Sequence, residues 1–156
     1  MKKMRLMFAT VLMATSFSNY AQVPKHSAKP KLIAVVNTAT WCAVCKANGA
    51  RFGAVLMPYA AQGVNIYMND LTNDSTKAAS KTVLESAGAY KAVTNIQRKG
   101  MGKMLQSCGL AKDKKQSFIA SGIVTFIDPK THQQVKQISI AETDEVMIKT
   151  INNLLN

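Results

Sequence analysis

Apolar residues along this chain fall into short runs, and their spacing switches between the strand period and the helix period. Leu32-Ile33-Ala34-Val35-Val36 is unbroken and rich in β-branched residues, the pattern of a central strand covered on both faces. From Ala43 to about Ala61 the apolar positions Val44, Phe52, Val55, Leu56 and Tyr59 are spaced by three, four or eight and predict a helix. Pro58 should kink or end that helix because it removes the bond to Ala54, with Gly63 closing the connection. Gly49 and Gly53 weaken the helix, and their spacing of four suggests close approach to a sheet.

Further along, Val64-Asn65-Ile66-Tyr67-Met68-Asn69 alternates in part and predicts a second strand, ended by the turn-rich Asp70–Asp74. Asp74 is the expected N-cap of a helix from Ser75 to about Ala87, with Val83, Leu84 and Ala87 on its apolar face and Gly88 beyond its end. Val135, Ile138 and Ile140 mark a later strand. In the last helix Thr143 is the expected cap, Asp144 and Glu145 suit the dipole, and Met147, Ile148, Ile151, Leu154 and Leu155 form the stripe.

The start of the chain follows a different rule. Met1-Lys2-Lys3-Met4-Arg5 is basic, Leu6–Phe17 is apolar, and Ser18–Gln22 is polar, which is the layout of a secretory signal peptide. Cleavage after Ala21 makes residues 1–21 the signal, 22–30 a flexible lead containing Pro24 and Pro30, and 31–156 the folded domain. The apolar stretch is shorter than the roughly 18–20 residues of a membrane span, so no span is expected in the mature chain. The expected address is periplasmic or secreted.

The 156 residues carry a formal charge of +12, and losing Lys2, Lys3 and Arg5 leaves +9. The lysines are scattered, no nucleic-acid motif is present, and the chain is exported, so a solvated basic surface is read rather than a nucleic-acid partner. Six basic residues lie between Arg98 and Lys115, in more chain than a core requires between Gly88 and Ser121, and this is read as an insertion.

The chemistry is concentrated in Trp41-Cys42-Ala43-Val44-Cys45-Lys46, between the first strand and the first helix. At a helix N-terminus the free N–H groups and the dipole favour an anion, so a thiolate at Cys42 is stabilised and its pKa falls from about 8.5. Cys42 is therefore the expected nucleophile, and the more exposed of the pair. Cys45, one turn on, can attack a mixed disulfide formed at Cys42 and release the partner. Three cysteines are an odd number, which leaves Cys108 as a possible extra thiol. No metal or cofactor is assigned, although Met101, Met104 and Cys108 are soft ligands that would suit copper.

These residues resemble the active site of the thioredoxin superfamily, which reads Trp-Cys-x-x-Cys-Lys after a strand and at the start of a long helix. The resemblance covers roughly Lys31–Leu155, and its specific part is the active-site stretch. It implies an α/β thioredoxin-like fold, a central mixed sheet flanked by helices, with the insertion preceding the third core strand, Ile123–Ile127. It also implies a thiol-disulfide oxidoreductase acting on protein or peptide thiols and disulfides, reset by an unidentified redox partner, with Trp41 and Lys46 in support. A soft-metal carrier and a non-catalytic interaction module are the alternatives.

Two positions depart from the family pattern. Val36 stands where the family has a buried acid, so the pKa of Cys45 is expected to rise in an apolar site and exchange to slow. Gly122 stands where a cis-proline faces the cysteines, so a trans peptide and an added backbone N–H are expected there. If the loop presents its backbone to a substrate strand, restoring proline should keep or raise reductase activity provided the cis form is accommodated; if the missing ring instead leaves room for a metal at Cys42 and Cys45, restoring it should weaken metal uptake.

Overall fold

Strand β1, Leu32–Thr38, runs through the middle of a computed structural model that describes residues 26–94 and 120–156. Its first six residues are all buried, as an apolar run with cover on both faces requires. On one side β1 pairs in parallel with β2, Val64–Asp70. On the other it pairs antiparallel with β3, Ile123–Ile127, which pairs antiparallel with β4, Gln134–Ser139. The sheet order is β2-β1-β3-β4.

Helix α1 (Ala43–Leu56) and the last helix, α4 (Asp144–Leu155), cover one face. There Phe52, Leu56, Met147 and Ile151 pack on Ala34, Val36, Val124 and Phe126. Helix α2 (Asp74–Ser86) and the short α3 (Tyr90–Thr94) cover the other, with Leu84, Ala92 and Val93 on Ile33, Val35 and Ile127. This is the thioredoxin-like arrangement, a mixed sheet between two helical layers, and it sets α1 to start at the C-terminal end of β1.

Local chemistry places the element ends. A 3-10 helix, Met57–Gln62, takes over from α1 where Pro58 removes a donor, and Gly63 closes it at φ 96°. Asn73, not Asp74, caps α2: its Oδ1 accepts from the Thr76 N–H at 3.0 Å, and Thr76 Oγ1 accepts from the Asn73 N–H at 3.1 Å. Asp74 becomes the first helical residue, where its charge still meets the dipole. Thr143 caps α4 as expected.

Other departures have equally local causes. Val83, Val135 and Ile148 were expected among the apolar faces and are exposed. Val135 lies three positions before Ile138, out of phase with Ile138 and Ile140 in a period of two, and at a register irregularity opposite Phe126/Ile127. The lead from His26 is bonded to β2: the Asn65 side chain accepts from the Ser27 N–H and donates to the Ser27 carbonyl, at 2.8 and 3.0 Å. Part of the stretch read as an insertion is α3, whose Ala92 and Val93 are core residues. The remainder, with 98–115 and the soft-ligand trio, lies outside the described residues, as does the signal segment. Among the described residues no helix is long and apolar enough to cross a membrane.

Candidate active site

The chain leaves β1 at Thr38, turns through Ala39-Thr40-Trp41, and enters α1 at Cys42. The turn is fastened at three points. Thr38 accepts from the Leu71 N–H at 2.8 Å, the Thr40 N–H donates to Thr72 Oγ1 at 3.0 Å, and the Cys42 N–H donates to the Ala39 carbonyl at 3.1 Å. Thr72 is in turn held by Asp70, whose Oδ1 accepts from both the Thr72 hydroxyl and its N–H. These bonds hold the Asp70 carboxyl below its ordinary pKa, the hydroxyl having the largest effect and the N–H the next. The strand end therefore fixes where the helix begins.

Cys42 is the N-cap of α1, with φ −79° and ψ 108°, and its Sγ accepts from the Cys45 N–H at 3.1 Å. The sulfur thus occupies the place that a Ser or Asp oxygen takes in an ordinary cap. No acidic residue stands in the first turn to oppose an anion there. Cys42 and Cys45 are joined by a disulfide, with their Cα atoms 5.2 Å apart. Trp41 and Val44 are exposed on either side, Trp41 at 62 %, and give the disulfide an apolar rim. Lys46 is exposed as well.

The expectation that Cys42 is the exposed member of the pair needs correction. Cys42 is 6 % and Cys45 8 % exposed, so access does not separate them. Position does: Cys42 is the cap, while Cys45 lies inside the first turn. Cys45 also lines an apolar pocket of about 90 Å³ together with Val36, Thr38, Gly49, Gly53 and Met68. Val36 does stand beside Cys45, and among the described residues no carboxylate lines that space. Among the described residues the two glycines do not serve close packing, because a Cβ on either would meet nothing within 4 Å.

Gly122 sits against the disulfide, in the register that its sequence position implied. A Cβ built there would lie 3.7 Å from Cys42 Sγ and 3.5 Å from Val44 Cγ1. Its preceding peptide is trans. The added N–H is not presented outward, however: it donates to the Asn37 carbonyl at 2.7 Å, while the Gly122 carbonyl accepts from the Ile140 N–H at 3.0 Å. The residue has φ +79°, which proline cannot adopt. Proline here cannot preserve the turn, so the condition under which restoring it was expected to keep activity is not met.

Cys108 lies outside the described residues. His26 stacks near Tyr67 at the β2 edge and His132 lies in the β3–β4 turn, and among the described residues no three His, Cys, Asp or Glu side chains gather as a metal site. Sequence reasoning missed Asn37, Asn69, Asp70 and Thr72, which fasten the two segments around the disulfide. The signal was present: β1 and β2 both end on polar residues, Asn37-Thr38 and Asn69-Asp70.

A Cys-x-x-Cys disulfide capping the helix that follows the central strand of a thioredoxin-like sheet defines a class of domain, dithiol-bearing and thioredoxin-like. No protein-family model matches the sequence, and no curated protein matches it. Among solved structures, the chain is similar to a thiol:disulfide interchange protein of the thioredoxin family from Chlorobium tepidum TLS. The two share 14 % identity over 82 % of each chain, with a TM-score of 0.47. It is also similar to the thioredoxin domain of a thiol-disulfide oxidoreductase from Bacteroides vulgatus, at 13 % identity over 82 % of this chain and 81 % of that one, with a TM-score of 0.45. DsbA2 of Pseudomonas aeruginosa shares 16 % identity over 83 % of this chain and 91 % of its own, with a TM-score of 0.42.

Proposed function

We propose that the protein is an exported thiol-disulfide oxidoreductase that exchanges disulfides with protein or peptide substrates through Cys42 and Cys45. The observation that carries this reading is the placement of Cys42 Sγ as the cap of α1, in a disulfide with Cys45. A reduced Cys42 in that place is a thiolate with an N–H already aimed at it, which is what a nucleophile requires. Trp41, Val44 and Gly122 surround it with surface that a polypeptide can lie on.

The exchange follows from the two sulfurs. Cys42 thiolate attacks a substrate disulfide, forming a Cys42–substrate disulfide and expelling one substrate thiolate. Cys45, deprotonated, then attacks Cys42 Sγ, forming the Cys42–Cys45 disulfide and expelling the second thiolate. Two electrons have passed from the cysteine pair to the substrate, and an external dithiol returns them. Run backward, the same steps oxidise a substrate dithiol. The basic-apolar-polar start of the chain supports export to a compartment where disulfides persist.

Insulin reduction with dithiothreitol tests the activity: the protein should accelerate it, Cys42→Ser should abolish the acceleration, and Cys45→Ser should trap mixed disulfides. A wild-type rate equal to dithiothreitol alone would sink the reading. Normal turnover by Cys45→Ser would make Cys108 the resolving thiol. Protein recovered from a periplasmic extract should begin at Gln22 if the signal is cut after Ala21.

A further inference from the structure

Asn37 is 1 % exposed in the central strand, on the sheet face away from the cysteines, where Ile33 and Val35 precede it in the alternation. A dry amide in a sheet is unfavourable unless it is hydrogen-bonded. Here its oxygen and its nitrogen each have a partner. Asn69, its register partner on β2, donates to Asn37 Oδ1 at 2.8 Å. With Oδ1 taken by a donor, Nδ2 must point the other way, and it donates to the Ala120 carbonyl at 3.2 Å. The main chain of the same residue accepts the Gly122 N–H at 2.7 Å. One residue therefore grips the turn Ala120-Ser121-Gly122 at both ends.

We propose that Asn37 is a positioning residue for disulfide exchange: its amide, oriented by Asn69, clamps turn 120–122 against Cys42 and so fixes one wall of the cleft that a polypeptide must enter. This rests on the oxidoreductase reading. The turn faces the site, since a Cβ added at Gly122 would lie within van der Waals distance of Cys42 Sγ and Val44. A small dithiol needs only the sulfur and not the wall. A polypeptide needs both, because its chain must lie along the turn while its disulfide reaches Cys42.

The two substrates separate positioning from structure. Asn37→Leu, close in volume, loses the bond to Ala120, and its KM for insulin should rise about tenfold, the scale of one lost hydrogen bond. Its kcat, and its rate of disulfide reduction by dithiothreitol alone, should stay within about twofold of wild type. Asn69→Leu should move KM the same way by less, because the Asn37 amide remains but loses its orienting partner. If Asn37→Leu does not fold, Asn37→Asp carries the test: its carboxyl donates to Ala120 only when protonated, so its KM relative to wild type should rise with pH. An unchanged KM, equal losses with insulin and dithiothreitol, or failure of both Asn37 variants to fold would overturn the proposal. A wild-type protein that dithiothreitol reduces but that never reduces insulin would instead remove the oxidoreductase reading, and this inference with it.

Discussion

Replacing Gly122 tests the geometry of the turn that meets the disulfide. Alanine at φ +79° places a Cβ in the left-handed region, which costs about 1–2 kcal/mol. Its nearest neighbours would be at 3.5, 3.6 and 3.7 Å, ordinary contacts, so no clash adds to that figure. For a domain of this size the loss should lower Tm by roughly 3–10 °C. Proline is worse on two counts: its φ is locked near −65°, and it removes the N–H that donates to Asn37 at 2.7 Å. Gly122→Pro should therefore cost about 3 kcal/mol or more. Thermal melts of the oxidised proteins followed by circular dichroism give both values. In reduced Gly122→Ala the new methyl would sit 3.7 Å from Cys42 Sγ, so alkylation of Cys42 by iodoacetamide should slow severalfold while the fold is retained. An alanine variant as stable as wild type, with proline no worse, would mean that the turn does not have this conformation, and the account of the site's third wall would fall.

Gly49→Ala and Gly53→Ala should each raise stability by about 0.5–1 kcal/mol in urea melts, because each Cβ enters open space and alanine is the better helix former. A loss of stability at either position would refute the open pocket beside Cys45. Asp70 has a depressed folded-state pKa, so its contribution is present above its unfolded pKa near 3.9 and is lost as pH falls through the lower folded value. Asp70→Asn should accordingly be less stable than wild type at pH 7, with the gap closing toward pH 2. A gap independent of pH would assign the effect to something other than the carboxylate. Arg51 pairs with Asp144 and donates to the carbonyls of Ile140 and Glu142 at 3.0 and 2.8 Å, tying α1 to the start of α4. Arg51→Met should cost about 1–3 kcal/mol, and Arg51→Lys should recover little, since one ammonium cannot reproduce the fork. Full rescue by lysine would show that charge alone matters there.

The parts of the fold legible in the sequence were those whose signal is short-range and chemically specific. β1 was an unbroken apolar run rich in β-branched residues, and burial on both faces leaves few other patterns available to it, while β3 was expected from the family resemblance. Pro58, Gly63 and Thr143 ended or began elements because each acts on its own backbone or within one helical turn. The errors came where two neighbours compete or where an irregularity intervenes. Asn73 and Asp74 are both good caps, and the choice went to Asn73 because Thr76 can return its hydrogen bond. Val135 is three positions from Ile138, out of phase with the period of two that Ile138 and Ile140 keep, and it lies at a break in register.

The site divides along the same line. The cysteine pair and its helix could be read from Trp41–Lys46 and the apolar runs on either side, because the chemistry needs a cap, a one-turn spacing and a strand in front. What holds that pair in place could not, since it depends on contacts between residues 32 to 83 positions apart: Thr40 with Thr72, Asn37 with Asn69, and Asn37 with Ala120. Each of these residues is a small polar side chain at a strand end or turn, where such residues are common for purely local reasons. Only the folded sheet distinguishes them, by bringing the ends of β1, β2 and β3 together beneath the disulfide. Gly122 combines both cases. Its place opposite Cys42 was readable by comparison with a family pattern, but its conformation was not, because a glycine in sequence is silent about φ. The loss of a proline ring here did not free a backbone N–H for a partner; the sheet took it, through Asn37. A substrate that pairs with this turn must therefore use groups other than the Gly122 N–H.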